Sequence, residues 1–187
     1  MANTSRKGLF PTNRDQDSEI LFIVDSGNGT NMFIGDVVKC VAAGAVNVAS
    51  AGDATIVAGT VIELFDSNKV PVGAWNSSVS TKYLPASTAG YALVALALPG
   101  RKFIAQTDTI LTVAAIMAST DHVAGSGSTT TGQSGNTING ADLNTGGQVF
   151  IVGPVDDATN DITLANAKWV VMFNEGMFMG TGKTTGV

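Results

Sequence analysis

Tyr83-Leu84-Pro85-Ala86-Ser87-Thr88-Ala89-Gly90-Tyr91-Ala92-Leu93-Val94-Ala95, followed by Phe103-Ile104-Ala105-Gln106-Thr107-Asp108, decides the fold class of this chain. The block opens on a Pro-containing turn and continues as a strand of aromatic and branched residues. It then crosses a loop and ends in a second strand. Its side chains are suited to packing and backbone pairing rather than to bond-making.

The same pattern recurs on both sides of the block. Glu19-Ile20-Leu21-Phe22-Ile23-Val24 is a short apolar run closed by Asp25-Ser26-Gly27-Asn28-Gly29, which reads as a strand and a turn. Residues 37–42, Val46-Asn47-Val48, Thr55-Ile56-Val57 and Thr60-Val61-Ile62-Glu63-Leu64-Phe65 read as further strands, with Gly59 marking a bulge or bend. Asp66-Ser67-Asn68-Lys69 is a turn, and residues 70–75 read as a strand that Pro71 confines to an edge. Residues 110–117 fit a strand or a short helix. Gln148-Val149-Phe150-Ile151-Val152 and residues 167–174 are strands, with a turn over residues 156–161. In the second of these, alternation puts Trp169, Val171 and Phe173 on one core-facing side. Eight to ten short strands spaced by turn signals predict an all-β fold, an antiparallel sandwich or a barrel.

Three segments stand outside this pattern. Residues 1–18 are polar apart from Leu9-Phe10-Pro11, and read as an extended N-terminal arm anchored by Phe10 or as a frayed terminus. Residues 125–147 carry a single charge, Asp142, and read as a long polar loop. Within it, Thr131-Gly132-Gln133-Ser134-Gly135-Asn136 clusters turn formers into a fixed shape, with Ile138 and Leu143 as apolar pegs. Residues 175–187 form a Gly- and Thr-rich tail, leaving residues 19–174 as one β-rich domain.

Charged residues make up 13% of the 187 and hydrophobic ones 44%, against roughly 25% charged in a typical soluble domain. Such a surface suits a protein held against neighbours, or a monomeric β-protein with hydroxyl-rich faces. The net charge is −5 and the basic residues are scattered, which argues against direct nucleic-acid binding. No stretch approaches the roughly 18 apolar residues of a membrane span. The first residues lack the apolar segment of a signal peptide, so manufacture in a cytoplasm is expected.

Few residues offer chemistry. Cys40 is the one cysteine and reads as a small packed hydrophobe. His122, the one histidine, lies between Asp121 and a Gly-rich stretch and reads as a solvated loop residue. No Gly-x-Ser-x-Gly elbow accompanies it. Gly180-Thr181-Gly182-Lys183-Thr184 resembles the end of a phosphate-binding loop, but the position that needs the first Gly is Met177. Asp156-Asp157-Ala158-Thr159-Asn160-Asp161 lacks the order of a Ca²⁺ loop. Asp36, Asp53 and Asp108 form no recognisable Mg²⁺ motif, as a nucleotide hydrolase would need. No catalytic residue, cofactor or metal is expected.

Several blocks together resemble the structural cement, or head-decoration, proteins of tailed bacteriophages. They are Gly35-Asp36-Val37-Val38, Ala51-Gly52-Asp53, Val57-Ala58-Gly59-Thr60-Val61, the Tyr83 to Val94 block, Phe103 to Asp108, residues 131–135, and Ala167-Lys168-Trp169-Val170-Val171 with Asn174. Tyr83, Pro85, Gly90, Tyr91, Leu93, Phe103, Gln106, Gly132, Ser134, Gly135 and Trp169 carry the likeness. The chain departs from the pattern at Gln133, where an Arg is expected, and at Leu96-Ala97-Leu98, which replace acidic residues. The resemblance implies a non-enzymatic virion protein on the outer capsid surface, bound to the major capsid protein of an HK97-like shell. It also implies a homo-oligomer, a trimer before a dimer. Leu9, Phe10, Pro11, Arg6 and Arg14 are then the candidates for capsid contact, and residues 1–18 are expected to serve attachment rather than folding. The alternative is a carbohydrate-binding or adhesin-like β-sandwich, which would display a cluster of exposed aromatic rings.

Overall fold

The structure is a computed structural model that describes residues 3, 7–41, 44–52, 56–144, 146–174 and 176. Arg6, Asp53, Thr55 and the Gly180–Thr184 string lie outside the described residues, as does the tail apart from Gly176. Among the described residues there are eleven strands: β1 (Phe10–Pro11), β2 (Glu19–Val24), β3 (Val37–Cys40), β4 (Val46–Val48), β5 (Val57–Phe65), β6 (Gly90–Leu96), β7 (Lys102–Gln106), β8 (Ser119–Val123), β9 (Thr137–Asn144), β10 (Val149–Pro154) and β11 (Lys168–Phe173). They form two antiparallel sheets, one ordered β1-β7-β11-β10-β8-β9 and the other β2-β6-β5-β3-β4. The architecture is a β-sandwich, and neither sheet closes into a barrel.

Two cores hold the sheets. The first lies between them and contains Leu9, Val57, Ala95, Phe103, Ile151, Trp169, Val171 and Phe173. Period-2 alternation in β11 delivers Trp169, Val171 and Phe173 to it, and the Phe103 and Phe173 rings meet edge to face at 5.0 Å. The second core contains Val24, Val38, Ala58, Val61, Leu64, Leu84 and Val94. Neighbouring residues Val37 and Val38, Val57 and Ala58, and Val94 and Ala95 divide between the cores. The centre of the five-stranded sheet is therefore buried on both faces, which is why β6 reads as an unbroken apolar run and β5 is apolar but for Thr60 and Glu63. Met32, Val79 and Leu84 come from loops and close the outer face.

Gly59 is required by close approach. A Cβ there would lie 2.0 Å from the Ala95 carbonyl oxygen. β5 runs straight through this glycine as one strand, where two flanking strands were expected. The pairing of β3 with β5 shifts register between Val38 and Lys39, opposite this glycine.

Four sequence expectations are corrected. Residues 125–147 are not one loop, because residues 137–144 form β9 and pair with β8. Ile138 is buried, and the polar remainder suits an edge strand, so pairing specifies this strand where intrinsic propensity does not. Residues 70–75 are not a strand: Pro71 makes an isolated bridge to Phe65 and the chain then turns. His122 is not solvated but fully buried in β8. Residues 7–18 are not a free arm, since β1 pairs with β7 through Phe10↔Ile104 and Pro11↔Phe103. Of the two readings open for residues 110–117 the strand falls away, and the segment is a hook built on a short 3-10 helix at Val113–Ala115.

Candidate functional site

The residues expected to meet a partner through the arm are largely engaged within the chain. Leu9 is buried in the first core, and its N–H donates to the Gly35 carbonyl at 3.0 Å. Gly8 N–H donates to Asn136 O at 2.8 Å and Thr12 N–H to Lys102 O at 3.0 Å. Phe10 and Pro11 are half-buried in β1. Arg14 makes a bidentate pair with Glu19, its Nε at 2.6 Å and Nη2 at 2.9 Å from the two carboxylate oxygens. That geometry holds the segment entering β2 against the body.

The residues of the family likeness fall into three groups. Tyr83, Gly132, Ser134, Gly135, Gly35 and Asp36 converge on one framework. Tyr83 stacks on Phe33 with centroids 4.9 Å apart. Ile34 N–H donates to Gly132 O, and Ser134 N–H donates to Ile34 O. Gly132 has φ of 75° and sits where a Cβ would lie 2.2 Å from the Lys82 carbonyl oxygen, so only glycine fits. The stretch 131–136 has the fixed shape its turn formers predict. Asp36 accepts from Phe33 N–H at 2.8 Å, and burial pushes its carboxyl up to about 6 against the hydrogen bonds from Ser134 and Phe33. Pro85 opens the turn over Ala86 and Ser87, its carbonyl accepting from Thr88 N–H at 3.2 Å and the Ala86 N–H held by Asn31 Oδ1 at 2.9 Å.

Phe103, Gln106 and Trp169 belong to the second group, in the paired strands β7 and β11. Gln106 donates from Nε2 to Asn166 O at 2.8 Å. Gly90, Tyr91 and Leu93 lie in β6, where Tyr91 and Leu93 pair with Ile23 and Leu21 of β2. These are framework positions. His122 Nδ1 lies 2.6 Å from Gln148 Oε1, which joins β8 to the start of β10. Cys40 is half-buried against the second core. Among the described residues no three His, Cys, Asp or Glu side chains gather in metal-binding geometry, and no helix is long and apolar enough to cross a membrane.

Sequence reasoning missed the surface that the tertiary structure leaves open. Most of the exposed large apolar side chains lie in three places, with Ile56, Leu143 and Leu164 outside them. Ile20, Leu21 and Ile23 stand on β2, Ile23 half exposed at 50%. In the hook, Leu111 and Ala115 peg residues 110–117 to the first core, and Met117 N–H bonds to Ile151 O at 3.0 Å. That pinning turns Ile110, Val113 and Met117 outward, Met117 to 71% exposure. Trp75, at 97%, projects from the loop between β5 and β6.

The Trp75 loop is held from inside. The Asp66 carboxylate is buried and accepts hydrogen bonds from the N–H groups of Asn68, Val70 and Ser78 and from the hydroxyls of Ser77 and Ser78, at 2.7–3.2 Å. These contacts, led by the Val70 N–H, hold its carboxyl well below the ordinary range although burial opposes them. Val72 and Val79 clip the two limbs of the loop to the second core. Gly73 N–H bonds to Val79 O at 2.9 Å across the limbs. Turn formers at Pro71, Gly73 and Asn76-Ser77-Ser78 are the signal that distinguishes this loop from a strand.

The chain matches no family model, and no curated protein or solved structure gives a match.

Proposed function

We propose that this chain is a structural protein that binds the outside of an icosahedral phage shell and clamps neighbouring shell subunits together. The observation that carries the reading is the distribution of exposed apolar side chains over separate segments: Trp75, the 110–117 hook, and Ile20, Leu21 and Ile23 of β2. A protein with one ligand site gathers such residues in one patch. A clamp must touch more than one neighbour, and dispersed contact elements on a rigid sandwich serve that need. The likeness of the framework residues to phage cement proteins supplies the identity of the partner, the major capsid protein.

The mechanism is added interface area. A contact of ordinary size buries on the order of 1,600 Å² and multiplies over the symmetry copies of a shell. A homo-oligomer, a trimer before a dimer, would bring more such contacts to one site. The carbohydrate-binding alternative is weaker, because Trp75 is the one fully exposed aromatic side chain among the described residues.

Mass spectrometry of purified virions tests the reading. The expected result is a fixed copy number relative to the major capsid protein, with heads that lose the chain opening at a lower temperature. Particles that never contain the chain would rule it out.

A further inference from the structure

We infer that Trp75 is an anchor that enters an apolar pocket on the shell protein, and that Asp66 fixes the loop in its inserting shape before contact. The inference rests on the reading of the chain as a shell-binding protein and adds which residue makes the contact.

An indole 97% exposed has almost no cover from its own chain. Tryptophan is enriched among the residues that dominate binding energy at interfaces, where it fills a desolvated pocket. Such a gain survives only if ordering the loop does not cancel it. Here the ordering is already complete, through the Asp66 hydrogen bonds and the Val72 and Val79 clips. Asp66 is thus a positioning residue, acting through the loop rather than by touching the partner.

Shape and charge select the occupant. Residues 70–81 carry no charged side chain, so the finger is neutral as well as convex and calls for a neutral concavity. Two depressions on this chain are unsuited to it: one is lined by the Arg14–Glu19 pair, the other by Asp15, Arg101 and Lys102. A third, with Phe33 and Val48 beside the buried Asp36, is otherwise neutral, and a second copy seated there is the competing occupant that the test decides. A pocket on a different protein is the fitting partner.

The test measures binding to empty heads of the virus that encodes the chain, stripped of it, by co-sedimentation. Trp75→Ala is expected to raise Kd about 30-fold or more without moving the thermal midpoint. Trp75→Phe should fall between. Asp66→Asn should also weaken binding, with faster hydrogen exchange at the Asn68, Val70 and Ser78 amides. Were the wild type to bind and Trp75→Ala to bind within threefold of it, the anchor would be refuted while the shell-binding reading stood. Failure of the wild type to sediment would refute both. Self-association that Trp75→Ala abolishes would identify a second copy as the occupant and overturn the proposal. Unchanged binding by a folded Asp66→Asn would remove the positioning role; if that variant fails to fold, the two Trp75 variants decide the anchor alone.

Discussion

The strand that carries Trp169 and the loop that carries Trp75 are organised by opposite kinds of contact. Trp169 is fully buried, and its strand is fixed by alternating apolar side chains against the facing sheet. Trp75 is almost wholly exposed, and its loop is fixed by polar hydrogen bonds to one carboxylate. The first region derives order from removing apolar surface from water. The second satisfies backbone donors that a turning chain would otherwise leave unpaired, and thereby releases its largest side chain to the outside. An ordered backbone therefore does not require burial of the side chain it carries, and Trp75 is left available for contact.

The largest expected effect lies on the buried side. Trp169→Ala should destabilise the fold by about 3–5 kcal/mol, read from denaturant midpoints. A change under about 1 kcal/mol would erase the contrast between the two tryptophans. Leu9→Ala extends the test to the N-terminal segment. Because Leu9 is buried in the same core, the expected cost is about 2–5 kcal/mol. A free arm would lose nothing, so an unchanged midpoint would restore that picture.

Acid and base distinguish two buried carboxylates next, because Asp36 in the Phe33–Ser134 framework and Asp66 under the Trp75 loop are shifted in opposite senses. Asp36 is raised to about 6, so its contribution to stability is full below the unfolded value near pH 4 and is lost as pH rises through 6. The difference between the folded and unfolded values corresponds to about 3 kcal/mol. Asp66 is depressed, so its contribution is present above about pH 4 and is lost as pH falls. Asp157, lowered to about 2 by hydrogen bonds from Thr159 and Lys168, adds to the acid side. Thermal melts from pH 2 to 8 should peak at mildly acidic pH, and Asp36→Asn should flatten the alkaline limb alone. A flat profile from about pH 4 to 7 in the wild type would contradict the Asp36 assignment. The smallest effect is the sharpest control: Trp75→Ala should change stability by no more than about 0.5 kcal/mol, as expected for an exposed position.

Particular residues show how much was legible in advance. β11 announced itself, since Lys168-Trp169-Val170-Val171-Met172-Phe173 alternates and is rich in residues that favour strands. The Asp25–Gly29 and Asp66–Lys69 turns were equally plain. By contrast, Thr137-Ile138-Asn139-Gly140-Ala141-Asp142-Leu143-Asn144 has neither alternation nor propensity, and forms β9 because β8 offers it a partner. His122 carried no local mark of burial, because what covers it comes from Ala49 and Gln148, far away in sequence. Of the candidate contact residues, Trp75 was read as a strand residue. Its exposure depends on a hydrogen bond from Ser78 to Asp66 that spans the whole loop.

By itself, then, the sequence determined the all-β class, the positions of most strands and turns, and the burial of Trp169. Period, propensity and turn chemistry act over a few residues and are written locally. Tertiary structure alone decided that the N-terminal segment joins the six-stranded sheet, that residues 137–144 pair as an edge strand, and that Trp75 faces outward. Each of these outcomes is settled by which distant groups are left to cover a side chain or to satisfy a backbone donor.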